Sequence, residues 1–126
     1  MNKIYRKQTK NTPFVNLDAE NLKFEISGVS FSEDIAEFYK PILQWVDDYI
    51  PRIEGQLNCK FHFDVLNSFS HKKIFNLLIT LNNFAQNGKK ISVEWAHDED
   101  DEDIMEMGED LDELIDLPFS IKSVAI

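Results

Sequence analysis

The sequence has few of the residues on which enzymes and metalloproteins most often depend. Its single cysteine, Cys59, can form no internal disulfide, which favours a reducing compartment. There is no glycine-rich phosphate loop and no cysteine or histidine spacing typical of a zinc site. The three histidines, His62, His71 and His97, belong to no motif that links them to a nucleophile. We therefore expect no catalytic activity, no cofactor and no metal centre.

Long apolar runs are missing as well. No uninterrupted apolar stretch reaches the roughly 20 residues needed to cross a bilayer. The segment Met1–Lys10 is polar and basic, without the apolar centre of a secretory signal. We expect a cytoplasmic protein with no membrane insertion. Its 126 residues, 43% of them hydrophobic, predict one domain, 1–126, with 1–10 as a candidate flexible segment.

Basic residues are absent from one acidic segment. Between Asp98 and Asp116 lie 12 of the 23 acidic residues and no lysine or arginine, so the net charge of −10 is concentrated there. This distribution makes nucleic acid an unsuitable partner and favours a basic protein surface or a cation. A run of charge can also be no more than a solvated face.

What the sequence contains most clearly is a strand that leads into a helix. Apolar and polar residues alternate from Leu57 to Leu66, which predicts a strand whose buried face includes Val65. An apolar stripe at helical spacing begins at Ile74. Ser68 and Ser70 lie at the junction, where a hydroxyl side chain can cap a helix.

Two roles fit these serines. Capping alone accounts for serine at the start of a helix. Phosphorylation is the alternative, because a phosphate would meet unpaired N–H groups and the positive end of the helix dipole, with Lys72 and Lys73 in the first turn. It would add a charge of about −1.5 to −2, enough to change which surface can dock there. The residues alone leave both roles open.

The remaining elements predict the fold class. Alternation predicts a hairpin of two strands, ending with Leu22–Ile26, and a later strand at Ile91–Trp95. A helix from Ile35 to Ile50, capped by Ser30 or Ser32, should be kinked or irregular around Pro41. The order is β-β-α-β-α-β-α, with an optional final edge strand. It predicts an α/β domain with a mixed, two-layer sheet and helices mainly on one face, because the clear strands all alternate.

The acidic segment admits a calcium interpretation. Asp98, Asp100, Glu102 and Glu109 fall at positions 1, 3, 5 and 12 of an EF-hand count. Position 6, which requires glycine, is Asp103, and a helix is expected to begin there. The residues from Glu99 onward are therefore better explained as a docking surface. A constitutive acidic binding module, or a divalent-cation-binding protein using 98–116, is the alternative function.

Short motifs from Thr12 to Phe119 also carry a family resemblance. They are Thr12-Pro13, Gly28 with Ser30 and Glu33, Phe38-Tyr39 with Pro41, Leu43 and Trp45, Asn67-Ser68 with Ser70 and Lys72, Val93 and Trp95 before Glu99–Asp103, Gly108-Glu109, and Leu117-Pro118-Phe119. Together they resemble the SiaC-type regulatory phosphoproteins of bacteria. The resemblance implies a STAS-like fold, similar to that of anti-sigma-factor antagonists.

The resemblance further implies a non-catalytic adaptor in a partner-switching pathway. A dedicated kinase phosphorylates one hydroxyl, a PP2C-type phosphatase removes the phosphate, and the unphosphorylated form binds and regulates an effector such as a diguanylate cyclase. The family motif Asn-Thr-Ser-Ser-Ser-Lys matches Asn67 to Lys72, with Phe69 and His71 in place of serines. It places the phosphoacceptor at Ser68, where serine replaces the usual threonine, with Ser70 in reserve.

The predicted site has two parts. The acceptor loop is formed by Asn67, Ser70 and Lys72 around Ser68. Partner binding is assigned to acidic residues just before and at the start of the last helix: Glu99, Asp100, Asp101, Glu102 and Asp103.

Overall fold

A computed structural model describes residues 3–126, which form a six-stranded mixed sheet, three helices and one short 3-10 turn. In chain order the elements are β1 (Lys3–Arg6), β2 (Phe14–Asp18), β3 (Lys23–Ser30), α1 (Ile35–Tyr49), the 3-10 turn (Ile50–Arg52), β4 (Leu57–Leu66), α2 (Ser68–Gln86), β5 (Ile91–Asp98), α3 (Glu102–Leu114) and β6 (Phe119–Val124). No helix in this part of the chain is long and apolar enough to cross a membrane.

The strands lie side by side in the order of the sequence. β1, β2 and β3 pair antiparallel, and β3, β4, β5 and β6 pair parallel through the crossover helices. The predicted mixed α/β sheet is therefore confirmed, and its optional last strand is present as the edge strand β6.

Strand β1 was not predicted from the sequence. It lies within residues 1–10, the candidate flexible segment, and pairs with β2 from Lys3↔Asp18 to Arg6↔Val15. Only Ile4 of this strand is half-buried, so no apolar alternation marks it in the sequence. Met1 and Asn2 lie outside the described residues.

All three helices cover the same face of the sheet, as predicted. Trp45 of α1 packs on Phe24 of β3, with ring centroids 6.0 Å apart. Gly108 of α3 lies against the indole of Trp95 on β5, where an added Cβ would overlap the ring. The stripe that begins at Ile74 is buried in the same layer. We call the opposite, more polar side the open face.

Parallel pairing places the ends of four strands at one edge of the sheet. Ser30, Leu66, Asp98 and Val124 end β3, β4, β5 and β6, and we call this the carboxyl edge. The acidic segment follows β5, and the residues of the predicted acceptor loop follow β4. The latter form no loop, since Asn67 caps α2 and Ser68, Ser70 and Lys72 lie inside that helix. The topology therefore brings both parts of the predicted site to the same edge.

The start of α1 differs from the prediction. Ser30 ends β3, and the N-cap residue of α1 is Asp34, so neither Ser30 nor Ser32 caps the helix. Ser32 instead accepts a hydrogen bond at Oγ from the Asp34 amide, 3.1 Å away. Pro41 lies inside α1, which is assigned as one helix from Ile35 to Tyr49. Leu22, predicted as the first residue of the second strand, instead ends the turn before β3 and has a φ of 54°.

Candidate functional site at the carboxyl edge

Ser68 is the first residue of α2, and its side chain is exposed. The capping residue is Asn67, whose Oδ1 accepts a hydrogen bond from the Ser70 amide at 2.9 Å. The prediction that Ser68 or Ser70 caps the helix is therefore wrong. Within residues 3–126 the Ser68 hydroxyl has no hydrogen-bond partner. This hydroxyl is therefore accessible to a modifying enzyme.

Ser70 has a different environment, although it is only two residues away. It is fully buried, and its Oγ donates to the Ser30 carbonyl at 3.0 Å. The Ser30 hydroxyl donates to Ser70 Oγ at 2.8 Å and lies 2.9 Å from the hydroxyl of Tyr39. Burial raises the pKa of Tyr39 to about 12, so the phenol stays protonated and donates to Ser30. Ser70 thus joins α2 to β3 and α1, and its hydroxyl is closed to solvent.

The first turn of α2 is electropositive. The first turn, Ser68 to His71, contains no acidic residue. Lys72 and Lys73, predicted in the first turn, are the fifth and sixth residues of the helix, and neither forms an ion pair with any other residue of the described chain. The amides of Ser68 and Phe69 donate to no group within 3–126, as expected for the first positions of a helix. An anion attached at Ser68 would therefore meet free donors, the helix dipole and the Lys72 ammonium group.

Three large apolar side chains are exposed near Ser68. Phe31 is 58% exposed, Val65 is 43% exposed and Phe69 is 71% exposed. We call these three residues the apolar rim. Their backbone positions are neighbours, because Val29 pairs with Val65 and Ser30 with Leu66 at the ends of adjacent strands.

The exposure of Val65 contradicts its predicted burial. The β3–β4 register shifts between Gly28 and Val29, so that Gly28 pairs with Phe63 and Val29 with Val65. Strict alternation therefore fails after Phe63. Gly28, with a φ of +104°, adopts a backbone conformation that favours glycine at this irregularity.

The first residues of the acidic segment, Glu99 to Asp101, connect β5 with α3. Asp101 is the N-cap of α3, and its Oδ1 accepts a hydrogen bond from the Ile104 amide at 3.1 Å. Glu102 and Asp103 lie in the first turn, and Glu99 and Asp100 are exposed in the preceding turn. This segment is one strand across the sheet from the acceptor loop.

An EF-hand loop is not formed by this segment. Glu102 to Glu109, which would supply positions 5 to 12, lie inside α3. The calcium interpretation based on this spacing is therefore wrong.

Two other features lie outside the predicted site. Cys59 is buried, and burial raises the pKa of its thiol well above the usual range, so this side chain packs in the core as a neutral thiol. A surface depression of about 520 Å³ lies at the opposite edge of the sheet, between Ala19 and Gly55, and includes none of the predicted site residues.

Solved structures with this fold define its class. The structure of SiaC of Pseudomonas aeruginosa matches with a TM-score of 0.82 and 24% identity, over 98% of this chain and 100% of that chain. A chain in the crystal structure of diguanylate cyclase SiaD in complex with its activator SiaC, from the same organism, matches with a TM-score of 0.83 and 24% identity, over 96% of this chain and 99% of that chain. The protein is thus a single α/β domain with a SiaC-like fold.

Sequence comparison adds the family. An uncharacterised protein of Pseudomonas aeruginosa strain UCBPP-PA14 is 24% identical over 123 residues, which cover 98% of each chain. The sequence profile of the SiaC family regulatory phosphoproteins matches residues 6–124. This chain belongs to that family.

Proposed function

We propose that this protein is a cytoplasmic, non-catalytic adaptor whose binding to an effector is switched by phosphorylation of Ser68. One observation carries the proposal. In a member of a regulatory phosphoprotein family, Ser68 presents an exposed hydroxyl at the start of a helix whose first turn has no acid. Lys72 and Lys73 follow that turn, and neither they nor the Ser68 hydroxyl has a partner within residues 3–126.

The local chemistry suits reversible phosphorylation. A protein kinase would transfer the γ-phosphoryl group of ATP to Ser68 Oγ, with loss of the hydroxyl proton and release of ADP. The amides of Ser68 and Phe69 and the ammonium group of Lys72 would stabilise the product. Asn67 holds the loop through its cap, and Ser70 anchors it to Ser30. A PP2C-type phosphatase would restore the hydroxyl by hydrolysis.

The unphosphorylated form would bind its effector through the carboxyl edge. Exposed aromatic side chains such as Phe31 and Phe69 are typical anchors of protein interfaces. A phosphate among them would place about −1.5 to −2 charges in an apolar contact, which would disfavour docking. Glu99, Asp100, Glu102 and Asp103 would meet basic groups at the margin, and Asp101 would act by holding the turn.

A relative supports the class of effector that we propose. SiaC of Pseudomonas aeruginosa is the activator of the diguanylate cyclase SiaD, with which it forms a complex. We propose that this chain also binds and regulates a diguanylate cyclase. The apolar rim would provide its contact surface.

The first experiment is phosphopeptide mapping of the protein purified from its native cells. We expect phosphate on Ser68 and its loss in a Ser68→Ala strain, whereas Ser120→Ala, a change at another exposed serine, should leave it in place. The two forms are then compared in pull-downs for a cyclase. Ser68→Asp should capture less of it than wild type, and Ser68→Ala should capture as much.

Two results would contradict this proposal. Absence of phosphate from Ser68 across growth conditions would leave a constitutive binding module. Equal capture by Ser68→Asp, Ser68→Ala and the phosphorylated protein would show that the modification does not control docking.

A further inference from the structure

Three potential metal ligands converge on the open face of the sheet, outside the acceptor loop. His62 and Asp64 are alternate residues of β4, and Asp98 ends the neighbouring strand β5. Since His62 pairs with Ala96, Asp98 projects beside His62 and Asp64 on the same face. One ligand atom from each residue lies within 4.8 Å of the other two, and His62 Nε2 is 3.0 Å from Asp98 Oδ1.

The two carboxylates of this cluster are not balanced by a lysine. Within residues 3–126, His62 is the only basic group within 4.0 Å of either Asp64 or Asp98. Lys122 is in register with Ala96 but binds Glu94 Oε1 at 2.9 Å. Lys60 lies two residues before His62 and is in register with Glu94. The cluster therefore keeps negative charge that a divalent cation would neutralise.

The backbone holds two of these side chains in place. His62 pairs with Ser27 of β3 and with Ala96 of β5, whereas Asp64 lies at the β3–β4 register shift and is exposed. The Asp98 carbonyl accepts hydrogen bonds from His97 Nδ1 at 2.8 Å and from the Asp101 amide at 2.9 Å. His62 and Asp98 therefore need little ordering when an ion binds, which favours affinity, and Asp64 is the ligand that has to be ordered.

The donor set selects a class of metal. An imidazole with two carboxylates suits Zn²⁺, Mn²⁺ or Co²⁺, whereas Ca²⁺ and Mg²⁺ prefer oxygen ligands alone. Ligand atoms bound at about 2.0–2.2 Å lie within about 4.4 Å of each other, so small side-chain rotations would bring these three onto one ion. We infer that His62, Asp64 and Asp98 form a site for one divalent transition-metal ion, with water at its open positions.

Binding would replace the proton between His62 and Asp98. In the metal-free chain this proton lies between His62 Nε2 and Asp98 Oδ1, 3.0 Å apart. The ion would take its place, with the Nε2 lone pair and the carboxylates as ligands, and the displaced proton would move to Nδ1 or to solvent. The site unites residues of two strands, so no local spacing in the sequence reveals it.

The test is titration of the full chain with Co²⁺, followed by visible absorption, and then competition with Zn²⁺. We expect one saturable ion per chain, and at least about tenfold weaker binding in His62→Gln and Asp64→Asn. The matched control is Asp100→Asn, which removes the same charge from an exposed position of the acidic segment and should bind as wild type. Far-UV circular dichroism checks the fold of each variant.

A second readout locates the ion without a variant. In ¹H–¹⁵N spectra, substoichiometric Mn²⁺ should broaden the amide signals of His62, Asp64 and Asp98 before that of Asp112 on α3. The inference is overturned if no saturable binding occurs below about 1 mM. It is also overturned if Asp100→Asn weakens binding as much as Asp64→Asn, because the ion would then be held only by the general charge of the acidic segment.

Discussion

Two strand–helix junctions at the carboxyl edge have the same kind of cap, a side-chain oxygen that accepts from the amide three residues on, but opposite electrostatics. In the first, β4 leads to α2 through the N-cap Asn67, and in the second, β5 leads to α3 through the N-cap Asp101. Ser68 and Glu102 therefore occupy the same position, the first of their helices. The first turn of α2 has no acid, whereas that of α3 has Glu102 and Asp103.

The difference shows which helix can respond to a phosphate. The N-terminus of α3 already has carboxylates near its positive end, so another negative charge there would be repelled. The N-terminus of α2 has a neutral cap, free amides and unpaired lysines, so a negative charge on Ser68 would be stabilised. This difference supports the proposed switch at the first junction, with the second supplying constant negative charge beside it.

The largest difference that we expect between variants of the two junctions is in effector binding. Phe69→Ser should weaken capture of the cyclase by about tenfold or more, since a central aromatic anchor contributes about 2 kcal/mol or more. Glu99→Gln, in the turn of the second junction, should change the affinity by less than about 1 kcal/mol because marginal charges contribute little. Binding is measured by calorimetry with purified cyclase.

The control for that contrast is Leu114→Ser. Leu114 is 59% exposed at the far end of α3, so it tests whether loss of any exposed apolar side chain weakens capture. Equal effects of Phe69→Ser and Leu114→Ser would show that the apolar rim is not the docking surface.

The next contrast lies within the first junction. Ser70→Ala should lower the free energy of unfolding by about 1–3 kcal/mol, since it removes two buried hydrogen bonds between α2 and Ser30. Ser68→Ala, the same chemical change on an exposed side chain, should lie within about 0.5 kcal/mol of wild type. Urea denaturation measures both, and equal midpoints would show that the buried hydroxyl network does not anchor α2.

Much of this edge could be predicted from local pattern. The alternation in β4 and the stripe from Ile74 located Ser68 at a strand–helix junction. Both patterns, the two-residue period of a strand and the 3.6-residue period of a helix, can be read from residues close together in the chain. The cap at Asn67 was missed because asparagine and serine rank almost equally as caps. The bonds between Ser30 and Ser70 could not be foreseen, because they join residues separated by 40 positions. Val65 was misassigned for a similar reason, since its exposure depends on the pairing partner in β3.

The smallest effect tests the electrostatic contrast itself. Ser68→Glu gives α2 the residue that α3 has at the same position, and it should raise the free energy of unfolding by about 0.3–1 kcal/mol at low salt. Glu102→Ser makes the reverse change and should lower that free energy, but by less, because Asp101 and Asp103 remain. Both effects should shrink in about 1 M salt, where charges are screened within about 3 Å. Destabilisation by Ser68→Glu at low salt would show that negative charge at the start of α2 is unfavourable. That result would contradict the electrostatic basis of the proposed Ser68 switch.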